Sequence, residues 1–302
     1  MPGVIEVPVA FARATLAREG EAARGWLATL PSLAGALLDL WGCTVSGPVQ
    51  HGFVGIVIPV RCCDGSGAVL KISWPHPSNL TAVVVLTAWG GNGAVQVLER
   101  DDTSFAMLLE QLHQDSLASL VGVDVAVAVV GSLACRLAIP APAGVPRLSD
   151  LLERWTAELP AESAALGSPL PRRALDAAVA TCAELGPEQP DTLLHGDLHL
   201  GNVLRGTREP WLAIDPRGRV GELAWEGVTL VRDRWDDLVD AGDVRRALLR
   251  RLAVFADAAG ADVERVRRLA QVRAIADGQW SRQHGEARYV TEVLDEIATL
   301  LV

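Results

Sequence analysis

Near residue 111 the apolar pattern of the chain changes from mainly strand-like to mainly helical. Any fold must therefore accommodate a β-rich front third and a helical remainder. The first 41 residues are helical in pattern: Phe11 to Leu30 place apolar groups at helical spacing, and Pro31-Ser32 restarts the pattern up to Trp41. Phe53 to Val60 and Ala68 to Trp74 flank the turn cluster Asp64-Gly65-Ser66-Gly67, which predicts a hairpin. Ser78 is placed to cap a helix running to Trp89. After the Gly90-Gly91-Asn92-Gly93 loop, Ala94 to Glu99 and Ser104 to Glu110 read as strands turning at Asp101-Asp102. Beyond Glu110 the spacing predicts helices over 116–138, 147–159 and 171–185, then several more from Leu223 onward, with Ile139 to Val145 as a Pro/Ala-rich loop. The expectation is an α+β chain in two parts, residues 1–111 and 112–302.

Charge narrows the function. The chain carries 27 basic and 37 acidic side chains, a formal net charge of −10, which argues against a nucleic-acid partner. That balance suits a cationic ligand. An apolar share of 50% excludes a disordered chain. The longest apolar stretch, Val125 to Cys135, is too short to span a bilayer, and no secretory leader pattern opens the chain, so the expected address is the cytoplasm. Five cysteines without a Cys-x-x-Cys pair read as free, mostly buried thiols. Lys71 is the one lysine among the basic residues; all the others are arginine. Arginine cannot replace lysine where a compact ammonium is required, so Lys71 is either a chance survivor on a solvated strand or a residue with a demanding role.

The densest run of reactive side chains is His195-Gly196-Asp197-Leu198-His199-Leu200-Gly201-Asn202, followed by Trp211-Leu212-Ala213-Ile214-Asp215-Pro216. Phosphoryl transfer requires a carboxylate to orient the attacking hydroxyl and take its proton, oxygen ligands for Mg²⁺, and a cation on the phosphates. Asp197 suits the first role. Asn202 and Asp215 suit the second, because Val203-Leu204 and Leu212 to Ile214 would form a ribbon bringing both to one rim. Lys71 lies in the apolar strand Ala68-Val69-Leu70-Lys71-Ile72, the situation of the strand lysine of kinases that reaches ATP phosphates. Leu108 to Leu112 closes the last strand where the kinase template puts the backbone that meets adenine, so Glu110 and Leu112 become candidates for that contact.

These residues resemble those of the aminoglycoside phosphotransferase family, of protein-kinase-like fold, and are most similar to its streptomycin and hydroxyurea kinase branch. The resemblance rests on Ala68 to Lys71, Ala88-Trp89-Gly90-Gly91, Leu108 to Leu112, His195 to Leu204, Glu209 to Pro216 and Gly221-Glu222, and runs from about Ala22 to the end. It implies two lobes, a small β-rich one and a larger helical one, with ATP in the cleft. It further implies Asp197 as catalytic base, Asn202 and Asp215 as Mg²⁺ ligands, and Lys71 on an ATP phosphate. The implied reaction is O-phosphorylation of a small-molecule, cationic antibiotic by ATP, which inactivates the drug.

Three departures accompany it. No Asp or Glu lies between Lys71 and Glu99, so the helix from Ser78 cannot supply the glutamate that usually pairs with the strand lysine. Gln50-His51-Gly52-Phe53-Val54-Gly55 is a bulky phosphate loop. Trp225-Glu226 stands where relatives tend to have an aromatic followed by Asp. Alternatives follow: a nucleotide-binding relative with weak or lost turnover, a kinase for a small uncharged molecule such as hydroxyurea, or a metallo-hydrolase. The last would use His195, Asp197 and His199 on one face of a strand. Asp233, Asp236 and Asp237 offer themselves to a cationic substrate, and Trp225 to the lining of its pocket.

Overall fold

The structure is a computed structural model and describes residues 5–302. The chain divides into two compact units, one running to His113 and including Gly206–Arg208, the other formed by Gln114–Arg205 and Glu209–Val302.

The first unit opens with helices α1 (Val9–Glu19) and α2 (Ala22–Leu40). It continues as β1 (Cys43–Val45), β2 (Gln50–His51), β3 (Gly55–Cys62), β4 (Gly67–Ser73), α3 (Pro77–Trp89), β5 (Val97–Asp101) and β6 (Ala106–Glu110). The strands form one antiparallel sheet in the order β1-β3-β4-β6-β5, with β2 also paired to β3. Alternation sorts their side chains. Ile56, Ile58, Val60, Ala68, Leu70, Ile72, Ala106 and Leu108 share one core with Phe11 of α1 and Leu30, Ala34, Leu37 and Leu38 of α2. Lys71 sits between Leu70 and Ile72 and so takes the opposite face, across from Val57 and Met107.

Several boundaries differ from the pattern-based expectation. Proline does not interrupt α2: Pro31 is exposed, the apolar stripe passes it unbroken, and the Thr29 and Ser32 hydroxyls donate to the carbonyls of Trp26 and Thr29. Helix α3 is capped by His76, whose Nδ1 accepts from Ser78 N–H at 3.2 Å, with Pro77 in the first turn; Ser78 is inside the helix. Strand β6 starts at Ala106, because Phe105 has φ +55° and cannot continue an extended ladder. Of the cysteines only Cys43 and Cys182 are buried; Cys62 is half-buried, and Cys63 and Cys135 are exposed.

The second unit contains α4 (Val123–Leu137), α5 (Leu148–Ala165), α6 (Arg172–Leu185), α7 (Trp235–Asp240), α8 (Val244–Ala259), α9 (Val263–Gln283) and α10 (Arg288–Leu300). Between α6 and α7 lie the short strands β7 (Leu193–Leu194), β8 (Val203–Arg205), β9 (Trp211–Ala213) and β10 (Arg219–Val220). They pair antiparallel as two ribbons, β8 with β9 and β10 with β7. The expected helix from 116 starts only at Val123, because Gly122, at φ +88°, separates it from a 3₁₀ turn at Leu117–Ser119. Helix α5 runs past Pro160 to Ala165, burying Leu159 and Ser163 on either side of it. Among the described residues no helix is long and apolar enough to cross a membrane.

Candidate active site

The loop from β7 to the 3₁₀ turn Leu200–Asn202 carries the reactive cluster. The expected strand face of His195, Asp197 and His199 does not form. Gly196 has φ +78°, which turns the chain out of the ladder after two residues. His195 points inward and is fully buried. Its Nε2–H donates to Ile214 O at 2.9 Å, and its Nδ1 accepts from Asp197 N–H at 3.3 Å. Burial pulls its imidazole down to about 4, so the ring is neutral and ties the loop to β9's exit. Among the described residues no three His, Cys, Asp or Glu side chains converge as a metal-binding group, so the ligand set of the hydrolase alternative is not assembled.

The loop's backbone is held from below by Glu226, in the 3₁₀ segment Leu223–Thr229. Glu226 is buried and accepts N–H bonds from His195 and from Gly196, the latter at 3.2 Å to each carboxylate oxygen. Burial pushes this carboxyl up to about 7, against the two backbone donors, which lower it. Glu226 thus performs a task that the sequence left without an owner. Trp225 beside it is core: it is 1% exposed and packs on Trp155 at 6.0 Å, so it does not line a pocket as expected.

Asp197 projects from this loop. Its Oδ2 receives Arg217 Nε at 3.0 Å, and its backbone carbonyl accepts from Asn202 Nδ2 at 2.9 Å. With its NH₂ so engaged, Asn202 is left its amide oxygen for a hard cation. The β8–β9 ribbon carries Asn202 and Asp215 at its open end, with Val203 opposite Ala213 and Ile214 N–H donating to Asn202 O at 2.9 Å. Asp215 itself has φ +57°, an unusual backbone state for a carboxylate residue, and such states concentrate at functional sites. Asp197, Asn202 and Asp215 are therefore brought together within one unit. Arg217 escaped sequence reasoning; nothing in its spacing distinguishes it from the other arginines.

Asp197 and His199 also line a cavity of about 300 Å³ with Asp233, Arg273 and Asp277. Asp233 accepts Leu200 N–H at 2.6 Å, and burial holds its carboxyl above the ordinary range. Its neighbours turn away: Asp236 meets Tyr289 OH at 3.3 Å, and Asp237 pairs with Arg234. The run of three carboxylates is thus split by the fold.

The remaining candidates lie in the first unit. Lys71 is half-buried in β4. Glu110 ends β6; its N–H donates to Gln96 O at 3.0 Å, and its carboxylate accepts Gln96 N–H at 2.8 Å and Arg208 at 2.7 Å. Leu112 follows two residues beyond the strand. In the loop from Gln50 to Gly55, Gly52 N–H closes on Gly55 O at 3.0 Å, and Phe53 is exposed under the Arg18 guanidinium at 4.5 Å. A Cβ at Gly55 would meet Ile72 O at 2.4 Å, so only glycine fits there.

Comparison with known proteins gives the family. The sequence profile of the aminoglycoside/hydroxyurea antibiotic resistance kinases matches residues 40–285. A streptomycin 6-kinase of Streptomyces glaucescens is 37% identical, with 94% of this chain and 93% of that protein covered. A hydroxyurea phosphotransferase of Kitasatospora aureofaciens is 35% identical, over 94% of this chain and 82% of that protein. Among solved structures, a macrolide 2′-phosphotransferase of Brachybacterium faecium superposes with a TM-score of 0.56 at 17% identity, covering 89% of this chain and 98% of that one. The chain belongs to the aminoglycoside/hydroxyurea antibiotic resistance kinase family and is a phosphotransferase of protein-kinase-like fold.

Proposed function

We propose that the chain is an ATP-dependent O-phosphotransferase that phosphorylates a streptomycin-type aminoglycoside in the cytoplasm and so inactivates it. The observation that carries this reading is Asp197 in the wall of a 300 Å³ cavity, on the same loop as Asn202, which shares the open end of the β8–β9 ribbon with Asp215. In this reading Asp197 orients the acceptor hydroxyl and takes its proton as the new O–P bond forms, while the electron pair of the broken P–O bond leaves with ADP. An amide oxygen and a carboxylate fit a hard cation, and Mg²⁺ held by Asn202 and Asp215 would draw charge from the phosphate oxygens. Lys71 is assigned to an ATP phosphate, and the backbone of Glu110 and Leu112 to adenine. The similarity to a streptomycin 6-kinase supports the acceptor class. Hydroxyurea is the alternative acceptor, supported by the similarity to the Kitasatospora enzyme.

The test is a mass shift of one phosphate on each member of a panel containing streptomycin and hydroxyurea, incubated with Mg-ATP. Asp197→Ala should lower kcat by about 10²- to 10⁴-fold while leaving ATP affinity within about twofold, because a general base acts mainly on kcat. Undiminished turnover in that variant removes Asp197 from its role. Binding of ATP with no acceptor phosphorylated would make the chain a nucleotide-binding relative.

A further inference from the structure

We infer that Cys43 and Cys62 are a redox modification site, at which a peroxide joins them in a reversible disulfide that fastens the edge strand β1 to β3. Register brings the two residues together: Cys43 lies directly opposite Cys62, as Val45 lies opposite Val60. One residue beyond Val45, Ser46 N–H donates to Pro59 O at 2.9 Å, which marks that opposed pair as hydrogen-bonded. Hydrogen-bonded and non-hydrogen-bonded pairs alternate along an antiparallel ladder. Counting back from Ser46 therefore puts Cys43 and Cys62 in a non-hydrogen-bonded pair. The backbone of Cys62 agrees, since its N–H turns away from β1 and donates to Ser66 O at 2.9 Å. In such pairs the Cα atoms stand about 4.5 Å apart with the side chains close, inside the range of roughly 4.4–6.8 Å that disulfides span. The two sulfurs are in contact at 3.5 Å, and both side chains lie against the core shared by the sheet and the first two helices.

The two thiols are not equivalent. Cys43 is 7% exposed, and its Sγ also lies 3.4 Å from Trp41 O. Burial, with the Cys62 sulfur beside it, pushes the Cys43 thiol up to about 12, so it is not the first to react. Cys62 is half-buried at the end of β3, where a small oxidant reaches it. Its thiolate attacks one oxygen of hydrogen peroxide; the O–O bond breaks, hydroxide leaves with the electron pair, and Cys62 becomes a sulfenic acid. The Cys43 sulfur then attacks the Cys62 sulfur. The S–O bond breaks, and the departing hydroxide takes the Cys43 proton as water. Two thiols lose two electrons, the peroxide gains two, and two waters form. The bond closes a ring of residues 43–62 that holds β2 and the loop from Gln50 to Gly55. Ring closure removes freedom from the unfolded chain, so the oxidised protein holds this sheet edge more firmly. It also keeps Cys62 from irreversible oxidation to the sulfinic acid. Cys63, exposed in the turn beyond β3, is the competing thiol.

The experiment treats the full, reduced chain with hydrogen peroxide, blocks the remaining thiols with iodoacetamide after unfolding, and maps the tryptic peptides by mass. Trypsin cuts after Arg61, so Cys43 leaves on one peptide and Cys62-Cys63 on the next. The two peptides should appear joined with the loss of two hydrogens, and the intact chain should take up three blocking groups in place of five. Cys63→Ser should leave the link in place and Cys62→Ser should abolish it. In Cys43→Ser the sulfenic acid of Cys62 has no resolving thiol and should be trapped by dimedone. Oxidation of the unmutated chain should raise the melting temperature by about 5 °C or more, and dithiothreitol should reverse the rise. Three results would each overturn the inference: a gain of two oxygens on Cys62 with no link, a link that runs through Cys63 and survives Cys62→Ser, or a link that leaves the melting temperature unmoved. Should a variant fail to fold, fragmentation of the joined peptides from the unmutated chain still tells Cys62 from Cys63.

Discussion

At the scale of single residues, the buried carboxylate of Glu226 is where chemistry and stability meet. It is 2% exposed and accepts both N–H groups of the His195-Gly196 turn. Its folded value of about 7 lies above the ordinary 4.5. A carboxyl raised on folding binds more protons in the folded than in the unfolded chain between those values, so stability is greatest below about 4.5 and is lost as pH climbs towards 7. The full shift would amount to about 3 kcal/mol. Glu226→Gln keeps a carbonyl oxygen for the two donors and cannot ionise. Thermal melting of both proteins from pH 5 to pH 8 should show the unmutated chain losing stability relative to the variant across this window. Parallel curves would mean that Glu226 is not desolvated as its position requires. Removing both acceptor oxygens with Glu226→Ala strands two buried donors and should cost about 1–3 kcal/mol for each at any pH.

At the scale of elements, two glycines show that packing, not helix propensity, sets the consequence of a substitution. Gly35 lies in α2 and a Cβ there meets nothing within 4 Å. Gly131 lies in α4, where a Cβ would sit 2.8 Å from Ala258 Cβ and 2.8 Å from Phe255 O of α8. Alanine is favoured over glycine by about 1 kcal/mol in a helix interior. Gly35→Ala should therefore raise the melting temperature. Gly131→Ala should lower it, since overpacking costs about 1–3 kcal/mol and the clash is with backbone. Shifts of the same sign in both variants would show that α4 and α8 can part without cost. The same competition explains what the sequence disclosed. The β3–β4 hairpin and the β8–β9 ribbon were legible, because alternation and turn residues such as Asp64-Gly65 act locally. The continuity of α2 through Pro31 and of α5 through Pro160 was not, because it depends on the partners that those helices bury against. At the site, the pattern of Asp197, Asn202 and Asp215 was readable as a spacing. The roles of Arg217 and Glu226 were hidden, since each acts on a loop about 20 to 31 positions away in the chain.

At the scale of the whole molecule, the acidic balance acts on encounter rather than on fold. A net charge of −10 produces a field that attracts cations over a distance set by the ionic strength. The screening length is about 30 Å at 0.01 M salt and about 10 Å at 0.1 M, so a free acceptor senses the summed charge only at the lower value. A charge that meets the acceptor at contact is screened far less once water is excluded. The two effects can thus be separated by salt. For streptomycin as acceptor, kcat/KM should fall about tenfold as ionic strength rises from about 0.01 M to about 0.5 M, within the range known for electrostatically steered encounters. For hydroxyurea, which carries no charge for the field to act on, it should stay within about twofold. Equal decline for both acceptors would place the effect of salt on the protein or on Mg-ATP, and would leave the acidic surface no part in capturing substrate.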